Sequence, residues 1–270
     1  MSPELALVIG NKNYSSWSMR PWVALRQAGI PFREIQLWFD DGAHASGAEQ
    51  YSPTGQVPVL LVEGTPVWDS LAICETAADL FPDRGLWPAD AHARARARAI
   101  CAEMHAGFRS LRGAMPMNIR SSFPGKGMSP AVERDIARVC SLWNDCRGKF
   151  GAGDAPAGTR KQSHSPEAGV FASAKAAPSA GAASVSGATS PKGAPVPPSD
   201  GTLLFGPFTI ADAYYAPVVM RFITYEVPLP PAARDYVEAV RGLPAVQEWM
   251  AAARHETAFV AADEPYAQKP

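Results

Sequence analysis

Three short stretches of this chain carry groups that could hold and activate a small molecule. The first is Asn11-Lys12-Asn13-Tyr14-Ser15-Ser16-Trp17-Ser18-Met19-Arg20-Pro21, where three hydroxyls lie at the start of a helix. The second is Gln56-Val57-Pro58, ahead of the apolar run Val59-Leu60-Leu61-Val62, and the third is Asp69-Ser70 at the start of another helix. Helix N-termini present free backbone N–H groups and a positive dipole end, so they favour anions. Pro58 cannot donate to a sheet ladder and belongs at a first strand position or an edge, and an X-Pro bond is the one peptide bond that goes cis at small cost. The free Val57 N–H and the N–H groups opening the helix at Asp69-Ser70 therefore make a corner suited to a ligand with both an amide backbone and a carboxylate. The chemistry predicted is capture of a peptide-like small molecule.

Pro21 lacks an N–H and fits the first turn of a helix, which predicts Ser18 as the cap and leaves Ser15 and Ser16 in the loop just ahead. One cap needs one hydroxyl. The surplus hydroxyls, facing the same end of the sheet as Val57-Pro58 and Asp69-Ser70, favour a functional role.

The elements that must position these groups alternate strand and helix over the first 81 residues. Residues 5–9 read as a strand ending at Gly10, 17–28 as a helix closed by Gly29, and 32–39 as a second strand. A polar loop follows, then a hairpin turning at Glu63-Gly64 and a helix over 71–81. This predicts a small α/β domain over 1–81 and a linker over 82–89. From residue 90 the period becomes helical. Residues 91–112 are rich in Ala and Arg, with Arg94 and Arg98 on one face, solvated or pairing across a dimer. Val132, Ile136, Val139, Cys140, Trp143, Cys146 and Phe150 form an amphipathic stripe. Residues 209–224 are apolar nearly all round and read as a buried central helix, in which Pro217 predicts a kink or an early end. Thr209-Ile210-Ala211-Asp212 has the form of a capping box, and 244–254 reads as a last helix. The second domain is thus all-helical over 90–257, with a tail over 258–270. Within it, 35 of the 50 residues in 151–200 are Ala, Gly, Pro or Ser. Such a stretch cannot bury enough apolar surface to offset its backbone entropy, so it is expected to be a disordered insertion.

Composition narrows the class. With 25 Lys+Arg against 26 Asp+Glu the chain has no basic footprint for nucleic acid or an anionic membrane. No apolar run is long enough to span a bilayer, and the first residues lack the basic region of a signal sequence. Cys74, Cys101, Cys140 and Cys146 show no C-x-x-C and no metal spacing, which reads as buried thiols in a cytoplasmic protein without a metal.

The Tyr-Ser-Ser-x-Ser-x-Arg loop, the Gln-Val-Pro corner, the Asp69-Ser70 pair and Phe-Thr-Ile-Ala-Asp at 208–212 together resemble a cytosolic glutathione transferase, nearest to the serine-type, zeta-like bacterial members. The resemblance covers about residues 5–150 and 203–255. It implies a thioredoxin-like N-terminal domain that binds glutathione as cosubstrate, an all-α C-terminal domain that walls the electrophile pocket, and a homodimer. It also implies that Val57, behind a cis Pro58, pairs with the cysteinyl amide of glutathione. Ser70 would hold the γ-glutamyl carboxylate, Asp69 would face the γ-glutamyl amine, and Gln56 would lie beside them. Ser15 or Ser16 would donate to the sulfur: counting back from Arg20 favours Ser16, whereas the zeta Ser-Ser-Cys pattern puts weight on Ser15. Trp17, Met117, Tyr214 and Arg221 are candidates for the electrophile pocket, with Arg221 also readable as a structural ion-pair partner and Tyr214 as core.

Magnitudes support a serine mechanism. Lowering a thiol pKa of about 8.5 by about two takes about 2.7 kcal/mol of thiolate stabilisation. One charge-assisted hydrogen bond contributes about 1.5–3 kcal/mol and a helix N-terminus about 0.3–1 kcal/mol, so no general base is required. Trp17 stands where zeta members carry cysteine, which weakens the case for a cis-trans isomerase. Conjugation to a small hydrophobic electrophile is therefore the leading expectation. The alternatives are that isomerase and a non-catalytic binding protein whose thiol site Trp17 occludes.

Overall fold

The computed structural model describes residues 3–40, 44–151 and 202–267. Its N-terminal part is a four-stranded sheet with helices. Strand β1 (Leu5–Ile9) is wholly buried, helix α1 (Ser16–Gln27) follows, and β2 (Arg33–Gln36) pairs parallel with β1. A parallel pair requires a crossover, which α1 supplies. Strand β3 (Val59–Val62) pairs antiparallel with β1, and β4 (Thr65–Val67) antiparallel with β3, giving the order β2-β1-β3-β4. The β3–β4 turn places Glu63 at φ 49° and Gly64 at φ 82°, the left-handed pair that a two-residue hairpin demands. Helix α2 (Ser70–Leu80) closes the unit. At the end of β1 a Cβ on Gly10 would lie 2.4 Å from the Phe39 ring, so any larger residue there would have to displace that ring.

The start of α1 differs from expectation. Its cap is Ser15, not Ser18: Ser15 Oγ accepts from Ser18 N at 3.4 Å, and Ser16 is the first helical residue. Pro21 then lies in the second turn, where the helix forgoes only the bond that its missing N–H would have made. The second strand is also shorter than expected, with Phe39 making an isolated bridge to Ala45.

The helical part begins with α3 (Ala91–Ala106) and α4 (Arg109–Ala114), where the sequence reads one helix. Gly107 and Phe108 separate them. Phe108 takes φ 56° with its side chain buried, and Asp135 then accepts from Leu111 N at 2.9 Å, satisfying one of the free amides of α4. Arg98 is exposed, as a solvated face requires, and pairs within the chain with Glu75 of α2 at 2.9 Å.

Helix α5 (Pro130–Phe150) is capped by Ser129. The buried helix α6 (Ile210–Thr224) opens on the Thr209/Asp212 capping box and runs through Pro217 rather than ending there. Asp212 accepts from Thr209 N, Leu204 N and Tyr236 Oη, yet burial still raises its pKa to about 6. Helix α7 (Pro231–Arg241), which the sequence reading missed, buries Ala233, Tyr236, Val237 and Val240, and α8 (Pro244–His255) packs on α1. Beyond α8 the expected tail folds back, with Tyr266 Oη donating to Ala114 O at 2.8 Å. The expected insertion at 151–200 lies outside the described residues, apart from Gly151, which caps α5. Among the described residues no helix is long and apolar enough to cross a membrane.

Candidate active site

A cavity of about 940 Å³ gathers the three stretches on which the sequence reading rests. The loop ahead of α1 brings Ser15, Ser16 and Trp17 to it, the corner before β3 brings Gln56, Val57 and Pro58, and the start of α2 brings Asp69 and Ser70. Met117 and Arg221 complete the set from the helical part. Tyr214 does not line the cavity. It is fully buried behind the wall, where its hydroxyl meets Ser70 Oγ at 2.9 Å.

The two serines are differently engaged. Ser15 Oγ donates to Ser18 Oγ at 2.7 Å, and Ser18 Oγ in turn accepts from Gly10 N at 3.2 Å. The Ser15 proton is thus committed to holding the helix start against the end of β1. Ser16 Oγ accepts from Arg221 Nη2 at 3.2 Å, and its own proton meets no acceptor among the described residues. The Val57–Pro58 bond is cis, and the Val57 and Ser70 N–H groups donate to no acceptor among the described residues. Two free amides and one free hydroxyl proton therefore border a single space.

Asp69 caps α2 by accepting from Leu71 N at 3.1 Å. Its other oxygen lies 3.2 Å from His105 Nε2, His105 Nδ1 lies 3.2 Å from Tyr214 Oη, and Tyr214 returns to Ser70. This ring ties the first residues of α2 to α3 and α6. Burial keeps the Tyr214 hydroxyl protonated by raising its pKa. Sequence reasoning missed His105, as it missed Arg109, Arg112 and Asp263, which also line the cavity. The Arg109 and Arg112 pair beside the Gly107 break was a readable basic cluster; nothing local in the sequence marks His105 or Asp263.

Trp17 is gripped between guanidinium groups, with Arg20 at 4.1 Å and Arg112 at 4.6 Å from its ring centroid and His105 edge-on at 5.1 Å. Arg20 is buried, and desolvation lowers its pKa. Arg221 is also buried; desolvation, reinforced by the charges of Arg20 and Arg112, lowers its pKa to about 9. Asp263 is raised to about 6 by burial, against the attraction of Arg221.

The serine loop is stapled from both sides. Glu256 accepts from Lys12 N at 2.6 Å, Asn13 N at 2.9 Å and Gln36 Nε2 at 2.6 Å. Arg120 reaches Glu256 O, Ala258 O and Tyr14 Oη, while Tyr14 donates to Glu264 at 2.6 Å and its pKa rises to about 12, mainly through burial. Among the described residues no group of His, Cys, Asp and Glu could hold a metal ion.

Comparison with known proteins agrees with this geometry. Residues 14–80 match the family model described as glutathione S-transferase, N-terminal domain, and residues 130–252 match glutathione S-transferase, C-terminal domain. A probable maleylacetoacetate isomerase of Caenorhabditis elegans is 27% identical over 143 residues, which are 52% of this chain and 66% of that protein. A maleylacetoacetate isomerase of Rhizobium meliloti (strain 1021) is 32% identical over 150 residues, 54% of this chain and 56% of that protein. Each match thus covers less than two thirds of the relative. A glutathione transferase homolog from Burkholderia gl BGR1, solved with bound glutathione, superimposes with a TM-score of 0.59 at 19% identity, over 94% of this chain and 100% of that one. That likeness establishes the thioredoxin-like N-terminal and helical C-terminal architecture. The two family models together take in more than half of the sequence, and the chain belongs to the glutathione S-transferase family.

Proposed function

We propose that this protein binds glutathione in the cavity and stabilises its thiolate for transfer to small hydrophobic electrophiles. The observation that carries the reading is that the Val57 and Ser70 amides and the unspent proton of Ser16 border one cavity. The cysteinyl backbone of glutathione pairs with Val57, beside Gln56 and Pro58. Its γ-glutamyl carboxylate takes the Ser70 amide at the start of α2, and its amine faces Asp69. Ser16 donates to the sulfur, because the Ser15 proton already belongs to Ser18. Trp17 and Met117 offer the apolar wall for the electrophile, and the 940 Å³ volume leaves room for both molecules.

The chemical step needs little from the protein beyond placement. The thiol proton leaves to water, the sulfur lone pair forms the carbon–sulfur bond, and the leaving group departs with its bonding pair. In this reading 1–81 is the glutathione-binding domain, 90–257 the helical domain, and the protein is a cytoplasmic homodimer. A single peak of twice the 28.7 kDa chain mass in light scattering tests the dimer.

A second reading, glutathione-dependent cis-trans isomerisation, is favoured by the relatives named maleylacetoacetate isomerase and by Arg109 and Arg112 on the cavity wall. Here the thiolate adds to a conjugated double bond and is expelled after rotation, so glutathione is not consumed. Turnover of a chlorinated nitroaromatic and of a cis-dienone acid, each with glutathione, separates the two. The Ser16→Ala variant is expected to lose about tenfold to a hundredfold in rate on the active substrate. Full rate in that variant removes Ser16 from its assigned role. Saturable glutathione binding with no turnover of either substrate favours a non-catalytic binding protein.

A further inference from the structure

Arg221 is buried on α6 at 4% exposure, and its guanidinium donates to Met115 O at 2.8 Å, Pro217 O at 3.2 Å and Ser16 Oγ at 3.2 Å. Two carbonyls and a hydroxyl give each guanidinium nitrogen one partner without neutralising the charge, and among the described residues it makes no salt bridge. A buried charge without a counter-charge costs several kcal/mol, so folds retain one where something arrives to neutralise it. The groups facing Arg221 are Arg20 from α1, Arg112 from α4, Tyr225 just past α6 and Asp263 from the C-terminal segment. The two arginines repel it, Tyr225 is held protonated by burial, and Asp263 attracts it without a salt bridge. The side chain that Arg221 does touch at the cavity is Ser16.

We infer that the glutathione sulfur supplies the negative charge that the Ser16 end of the guanidinium lacks, and that Arg221 is a positioning residue that backs Ser16 with a positive charge. By donating to Ser16 Oγ, the guanidinium occupies a lone pair and leaves the hydroxyl proton to point into the cavity. A hydroxyl that accepts from a cation is a stronger donor, so the thiolate receives a hydrogen bond reinforced by charge. The pair explains how a serine hydroxyl stabilises the thiolate strongly. It rests on the reading above that the sulfur lies at Ser16.

The test follows the ultraviolet absorbance of the bound thiolate against pH in the full chain. Arg221→Gln is predicted to raise the apparent pKa of bound glutathione by about 1–2, with affinity for glutathione at pH 5, where the thiol is protonated, unchanged. Arg221→Lys keeps a charge but cannot serve Ser16 and both carbonyls together, so a smaller rise is predicted; it carries the test should Arg221→Gln not fold. Adding either Arg221 substitution to Ser16→Ala is predicted to give little further rise, since Arg221 acts through Ser16. An unchanged thiol pKa in the Arg221 variants, with a raised KM for a charged electrophile or lowered stability instead, overturns the inference. An unchanged pKa in Ser16→Ala alone, or no glutathione binding, overturns the underlying reading, so the two failures are distinguishable.

Discussion

Ser15 and Ser16 are neighbours of one chemical type, and what separates them is where each proton goes. Ser15 spends its proton on Ser18 and holds the helix start, whereas Ser16 keeps its proton and accepts from Arg221. His105 bridges Asp69 and Tyr214 on the cavity wall, which fixes Ser70 Oγ. Replacing His105 with Ala is expected to weaken glutathione binding about tenfold while leaving the rate at saturation near that of the parent, as a calorimetric titration and a rate at high glutathione would show. An unchanged Kd would remove the ring from the account. Asp263 gives a prediction with a sign. Its folded pKa of about 6 lies above the 3.8 of a free carboxyl, so the folded state favours its protonated form. Its contribution is fully present below about pH 4 and is lost as pH rises through about 6. Asp263→Asn should therefore stabilise the protein by about 1–2 kcal/mol at pH 8 and leave it nearly unchanged at pH 4, measured by urea unfolding at both.

Among the elements, the C-terminal segment does the least expected work. Glu256, at the end of the span read as the helical domain, lies across the amides of Lys12 and Asn13 and so fixes the loop that delivers the serines, while Tyr266 ties the tail beyond it to Ala114. Glu256→Ala would leave two buried N–H groups without partners. A loss of about 2–4 kcal/mol in unfolding free energy is expected, with a lower rate at saturating glutathione; a neutral result would show that the loop holds itself. The sheet was legible because punctuation marks it: Pro58 opens β3, Glu63-Gly64 turns it, and Asp69 caps α2. The α3–α4 break was not, because Gly107-Phe108 sits in an Ala and Arg run whose composition is helical throughout. Pro21 misplaced the start of α1, and Pro217 does not end α6: local rules penalise an internal proline, but tertiary burial of both helices outweighs one lost hydrogen bond each. His105 and Asp263 could not be found locally, since each gains its meaning from partners far away in the chain.

Over the whole molecule, the sheet supplies backbone amides and the helical part supplies charge. The corner at Val57 and the start of α2 read as a binding site from sequence because their chemistry is backbone chemistry, set by proline and capping residues. Arg112 and Arg221 line the same cavity only because tertiary packing brings them there, with α6 packed on α1, and no local pattern shows that the two meet. The measurement that tests the account most directly is a crystal structure of the protein soaked with glutathione. The account predicts the γ-glutamyl carboxylate at the Ser70 amide, the cysteinyl amide paired with Val57, and the sulfur within about 3.5 Å of Ser16 Oγ. A cavity that stays empty at millimolar glutathione, or a tripeptide bound with its sulfur turned away from Ser16, would contradict it.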